Sequence, residues 1–114
     1  MRTELEGRSL EFALSVIAFV NRFPKSPVGW TIGRQLLKSA TSIGANYREA
    51  QRGESKEDFI HKVAIAEKEA AETENWLLLC ERSSLGGSAV ERLLDEAREL
   101  VAILTTIGRN AKRR

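Results

Sequence analysis

With 114 residues, the chain has the size of one domain, enough for a single hydrophobic core and too short for a second. Apolar residues make up 42% and charged residues 30%, with two prolines, which excludes a disordered or collagenous chain and points to a helical, soluble one. The net charge of +2 conceals a pattern: residues 12–48 carry Arg22, Lys25, Arg34, Lys38 and Arg48 with no acidic side chain, residues 49–108 are dominated by acidic side chains, and residues 109–114 are basic again. No apolar run approaches the roughly 20 residues of a membrane span. The opening stretch "MRTELEGRSLEF" lacks the unbroken apolar segment of a signal peptide, so the expected location is the cytoplasm.

Four segments have helical periodicity. The first, about 7–23, places Phe12, Val16, Phe19 and Phe23 on one row, with Leu10, Ala13, Ile17 and Val20 beside it, and Pro24 and Pro27 end it. The second, about 30–52, carries Ile32, Leu36, Ala40, Ile43, Tyr47 and Ala50 along one face and stops at Gly53 in the manner of a C-terminal cap. The third, about 56–83, opens on Ser55-Lys56-Glu57-Asp58, a near capping box. It then keeps an alternating four-three spacing from Phe59 through Val63, Ala66, Ala70, Thr73 and Leu77 to Cys80. The fourth, about 89–108, follows a Gly86-Gly87 turn and a Ser88 to Glu91 capping box, and its stripe runs from Val90 to Ile107. Residues 109–114 read as a basic tail.

No alternating strand pattern and no internal repeat occurs. Four helices joined by short connections predict an all-α fold, an antiparallel up-down-up-down four-helix bundle forming a single domain over 1–114. Small residues Ser39, Ala40, Gly44 and Ala45 on the second helix, and Ala64, Ala66, Ala70 and Ala71 on the third, predict that these two helices pack most closely.

The chemical readings are sparse. A di-iron site in a bundle needs paired Glu-x-x-His motifs, and this chain has a single histidine, His61, expected at the surface near the start of the third helix. Cys80, the only cysteine, excludes an internal disulfide and a cysteine-based zinc site and reads as a core residue. Neither Ser39, Ser42 nor Cys80 has a histidine and carboxylate spaced to activate it, and no glycine-rich phosphate loop is present. The expectation is therefore no enzyme, no cofactor and no metal.

Lys62, Glu69, Glu72, Trp76 and Leu79 share one face of the third helix beside its apolar row. With Ile60, Ile65 and Leu78 off that row, this helix is apolar over enough of its circumference to bury more than one face.

The run "GWTIGRQLLKSATSIGANYREAQRGESKEDFIHKVAIAEKEAAETENWLLL", Gly29 through Leu79, closely resembles the core pattern of the four helix bundle protein family. That family is also known from open reading frames in intervening sequences of bacterial 23S ribosomal RNA genes. The matching elements are "QLLKSATSIGAN", "REA" at Arg48 to Ala50, the "SKEDF" helix start, "KEAAET" and "WLLL". The resemblance implies an up-down bundle assembling as a homopentameric ring, with no assigned activity. A related branch, the accessory protein of diversity-generating retroelements, implies binding to nucleic acid and a reverse transcriptase through basic surface on the ring.

The polar residues at the end of the second helix are then expected to form a polar seam. Asn46, Arg48, Glu49 and Arg52 would meet Glu69, Glu72 and Lys62 or Lys68, with Trp76 beside them, across the third helix or the next subunit. Gly44 would permit the close approach, and the charges would fix register. Glu72 is expected to hold a cation, and Glu96 to sit on the outer face of the fourth helix. Two functions follow as expectations. The first is a non-enzymatic scaffold or adaptor whose partner is another copy of itself. The second is an accessory protein binding RNA or DNA through Lys25, Arg34, Lys38 and Arg48 together with Arg109, Lys112, Arg113 and Arg114.

Overall fold

The computed structural model describes residues Arg2–Arg114, and among them the secondary structure is entirely helical: α1 (Arg2–Val20), α2 (Pro27–Gln51), α3 (Lys56–Arg82) and α4 (Ala89–Arg113), with no strand. The helices lie side by side in a body of 47 × 20 × 19 Å. Each packs against two others, with α1 and α3 on one diagonal and α2 and α4 on the other.

The expected apolar rows build the core. Phe12, Val16 and Phe19 from α1, with Phe23 from the turn after it, meet Leu36, Ala40, Ile43 and Tyr47 from α2. Val63, Ala66, Ala70, Leu77 and Cys80 from α3 and Leu93, Leu94, Ala97, Leu100 and Leu104 from α4 close the other half. A phenyl edge-to-face contact between Phe19 and Phe23, ring centroids 5.1 Å apart, fills the end of the core under the α1–α2 turn.

The helix ends differ from the sequence reading in several places. α1 runs through Gly7, whose surroundings are open, and ends at Val20, because Arg22 and Phe23 turn back onto the carbonyls of Phe19 and Val20 before Pro24. α2 starts at Pro27 rather than near residue 30: Ser26 accepts from the Gly29 amide, and a proline in the first turn is already set at a helical φ. Gly53 does not adopt the left-handed cap conformation, which falls instead to Ser84, Gly86 and Gly87 in the α3–α4 turn. Finally, the basic tail is helix as far as Arg113, since Lys112 and Arg113 complement the negative end of the α4 dipole.

Ser55 caps α3 as expected, accepting from the Asp58 amide at 3.0 Å, a contact contributing about 1 kcal/mol. Ser88 does not cap α4. Its backbone is already helical and its side chain makes no capping hydrogen bond.

α2 and α3 share the most extensive contact of any pair, as the small residues predict. Ser39, Ala40, Ala66 and Ala70 are all fully buried there, whereas Ala45, Ala64 and Ala71 face outward. Gly44 serves a different neighbour. A Cβ at Gly44 would stand 2.8 Å from Ser9 Oγ, so this glycine lets α1, not α3, approach α2. Rotation about the α2 axis separates residue 40 from residue 44 less than local pattern can resolve, and so the partner was misassigned.

Candidate functional site

The polar-seam residues do not converge. Glu49 Oε1 and Lys62 Nζ, 2.8 Å apart, join the end of α2 to the start of α3 at an exposed position. Arg48 points the other way and lies 3.8 Å from Glu6 of α1. Asn46 donates to the Ser42 carbonyl of its own helix at 2.8 Å, as polar side chains inside helices often do. On α3, Glu72 forms no ion pair among the described residues: its carboxylate accepts from Trp76 Nε1 one turn on, at 3.4 Å. Glu69 offers its carbonyl to Thr73. Lys62 and Trp76 stand fourteen positions apart on α3, about 21 Å along its axis, so the set is a stripe and not a pocket.

The strongest charge cluster lies elsewhere. Arg8 of α1 donates to both carboxylate oxygens of Glu96 on α4, at 2.7 and 2.8 Å, and to Glu99 at 3.1 Å. Hydrogen bonding to Glu96 first, and then to Glu99, holds the Arg8 proton more tightly than usual. Glu96 therefore ties α4 to α1 rather than facing solvent. Glu96 and Glu99, three apart on one helix face, are the sequence signal for such a fork, although the cation they hold is 88 residues away. Arg98 pairs with Glu74 at 3.0 Å, and Thr105 donates to Glu67 at 2.7 Å, joining α4 to α3.

Among the described residues no three of His, Cys, Asp and Glu cluster as a metal site, and His61 is exposed. Cys80 is fully buried, and desolvation pushes its thiol up to about 11. No helix of the described residues is long and apolar enough to cross a membrane.

The basic residues fall into separate groups. Lys25 and Arg34 line a groove of about 370 Å³ where the α1–α2 turn meets α2. Lys38 is one turn further along α2. Arg109 and Lys112 line a groove of about 240 Å³ between α4 and α3 at the far end of the molecule, where Lys56 donates to the Arg114 carbonyl. Arg48 belongs to neither group, since it borders a third groove between α1 and α2. Arg113 and Arg114 are exposed at the end of α4.

Two apolar features are exposed, the first of them built partly from the row that the sequence sets beside the core row of the first helix. Leu10, Leu14 and Ile17 on α1 are 47%, 51% and 40% exposed, beside the groove whose other wall holds Thr41, Gly44 and Ala45. Their four-three spacing is that of a second helical stripe, and this was the available signal. Trp30 is 58% exposed next to Lys25 and Arg34. On α3, by contrast, Ile60, Ile65, Leu78 and Trp76 are half-buried by the chain's own helices, and Leu79 is the exposed large apolar residue there.

These features define a small all-α protein whose described surface carries grooves between its helices and exposed apolar stripes. Over residues 3–106 the sequence matches the model of the 23S rRNA-intervening sequence protein family, and the chain belongs to that family. Among solved structures it is similar to a protein of unknown function of the S23 ribosomal protein family from Bacteroides thetaiotaomicron VPI-5482. The two are 35% identical, with a TM-score of 0.86 over 96% of this chain and 99% of that one. No curated protein matches the sequence.

Proposed function

We propose that the protein is a non-enzymatic scaffold or adaptor that works as a homo-oligomer, an antiparallel up-down-up-down bundle closing into a ring of five in the cytoplasm. The observation that carries the reading is the stripe of Leu10, Leu14 and Ile17, three large apolar side chains left half exposed along one face of α1. Contiguous apolar surface of this kind marks an interaction face. Covering the exposed half of each side chain contributes on the order of 1 kcal/mol. Leu79 on α3 gives the chain a second and different apolar feature, as the head-to-tail contacts of a closed ring require. The antiparallel arrangement is supported by paired contacts in which numbers rise on one helix as they fall on its neighbour: Glu6–Arg48 with Val20–Gly33, Ser39–Thr73 with Glu49–Lys62, and Glu67–Thr105 with Glu74–Arg98. The test is sedimentation of the Leu14→Glu variant. The reading expects it to sediment as a monomer with unchanged helical circular dichroism while the wild type is assembled. Unchanged assembly of the variant would overturn α1 as the interface.

A second reading, a nucleic-acid-binding accessory protein, is favoured by one observation. Lys25, Arg34 and Lys38 take part in no ion pair among the described residues, although Arg8, Lys62 and Arg98 are all paired. Unneutralised cations on one face suit a polyanion.

A further inference from the structure

We propose that Trp30 is a stacking platform for the bases of single-stranded nucleic acid, with Lys25, Arg34 and Lys38 holding the phosphates that flank the stacked base. The proposal rests on the nucleic-acid reading and adds to it a residue, a groove and a strand preference.

The local sequence builds the platform. Ser26 caps α2 and Pro27 starts it, so the helix begins immediately after the turn and presents an exposed indole at Trp30 within its first turn. Trp30, Arg34 and Lys38 recur every four residues and are all exposed, so they form one row about 12 Å long on the outside of α2. Gly29 and Gly33 lie just inside that row. A Cβ at Gly29 would stand 2.1 Å from the Pro24 carbonyl oxygen, and one at Gly33 would stand 2.9 Å from Val20 Cγ1. The two glycines therefore draw the α1–α2 turn down onto α2 and bring Lys25 to the same groove as Trp30 and Arg34.

The charge around the indole has one sign. None of the residues lining the groove is acidic, and Arg22, Lys25, Arg34 and Lys38 form no ion pair among the described residues. The first turn of α2 has no acidic residue, so the positive end of its dipole is not offset there. An exposed apolar side chain alone would fit a protein surface equally well. An exposed aromatic face inside a field of free cations fits a ligand that alternates π-faces with negative charges, and that is a nucleic-acid strand whose bases are unpaired. In a duplex the bases are stacked on one another, and the indole could reach only the backbone.

The test uses fluorescence anisotropy of a labelled twenty-nucleotide oligothymidylate and a labelled duplex of the same length, with the whole chain, at several salt concentrations. The single strand is expected to bind more tightly than the duplex. Trp30→Ala should weaken single-strand binding roughly five- to hundredfold while leaving duplex binding and particle mass unchanged. Replacing Lys25 and Arg34 by alanine should weaken both ligands and reduce the single-strand salt slope by about 1.4. In a Trp76→Phe background, where Trp30 is the remaining tryptophan, the oligothymidylate should quench the fluorescence. If neither ligand binds at about 50 mM salt, both this proposal and the nucleic-acid reading fall. If both bind and Trp30→Ala binds the single strand as the wild type does, the stacking proposal alone falls. A change in particle mass on Trp30→Ala would make the indole a subunit contact and also overturn it.

Discussion

The hydroxyls of Ser39 on α2 and Thr73 on α3 lie 2.8 Å apart with both residues fully buried, at the closest-packed face of the protein. The Leu36 carbonyl, 3.3 Å from Ser39, and the Glu69 carbonyl, 2.8 Å from Thr73, are the backbone acceptors that share the two hydroxyl protons with this contact. Each single substitution, Ser39→Ala or Thr73→Val, should cost about 0.5–1.5 kcal/mol in urea unfolding. Because the two hydroxyls bond each other, the double variant should cost less than the sum, by about 0.5–1 kcal/mol. Additivity to within about 0.3 kcal/mol would show that the pair is not coupled.

The Arg8–Glu96 fork predicts a ranking among carboxylates. Glu96→Gln should lower stability by about 0.5–1 kcal/mol, an effect that shrinks in high salt because the pair is partly solvated. Glu72→Gln should change it by less than about 0.5 kcal/mol, since Glu72 forms no ion pair among the described residues. Thermal melts of the two variants at low and high salt decide it, and a larger loss for Glu72 would point to a cation supplied by another subunit.

Gly44 predicts a clash that can be relieved. Gly44→Ala places a methyl group 2.8 Å from Ser9 Oγ and should destabilise by about 1–2 kcal/mol despite the better helix propensity of alanine. Adding Ser9→Ala removes the oxygen and leaves an ordinary contact with its Cβ at 3.4 Å, so the double variant should be more stable than Gly44→Ala alone. Equal unfolding midpoints for the two would contradict the α1–α2 approach at this point.

Burial of Cys80 predicts a pH dependence. Desolvation raises the folded-state thiol from its ordinary 9.0 to about 11, so the unfolded chain gives up this proton first. The thiol's contribution is fully present below pH 9, is lost as pH rises from about 9 to about 11, and amounts to about 2–3 kcal/mol. Subtracting the pH profile of Cys80→Ala from that of the wild type isolates it. A flat difference over this window would mean that the thiol is not desolvated.

The core was legible in the sequence because a helix repeats its buried face every three or four residues: Phe12, Val16, Phe19 and Phe23 announce themselves, and so do Leu93, Leu94, Ala97 and Leu100. The Ser55 cap was legible for the same reason, since its partner is three residues away. What local pattern does not contain is which neighbour a polar residue meets. Glu96 looked outward because Arg8 is distant in the chain, and Arg48 and Glu49, adjacent in sequence, reach α1 and α3 respectively. Ser88 fails to cap because its φ and ψ lie in the helical region rather than the extended one that aims a capping hydroxyl at the first-turn amides. Exposure was the other blind spot. Leu10, Leu14 and Ile17 have the same residue types and spacing as a core row, and only the positions of α2 and α4 decide that the described residues leave them about half exposed.

The central claim is that another copy of the chain covers this stripe. Light scattering of the purified protein across a wide concentration range tests it most directly. The account predicts a discrete particle of about five times the 12.7 kDa chain mass, unchanged on dilution until the ring dissociates. A 12.7 kDa monomer persisting at high micromolar concentration would contradict it.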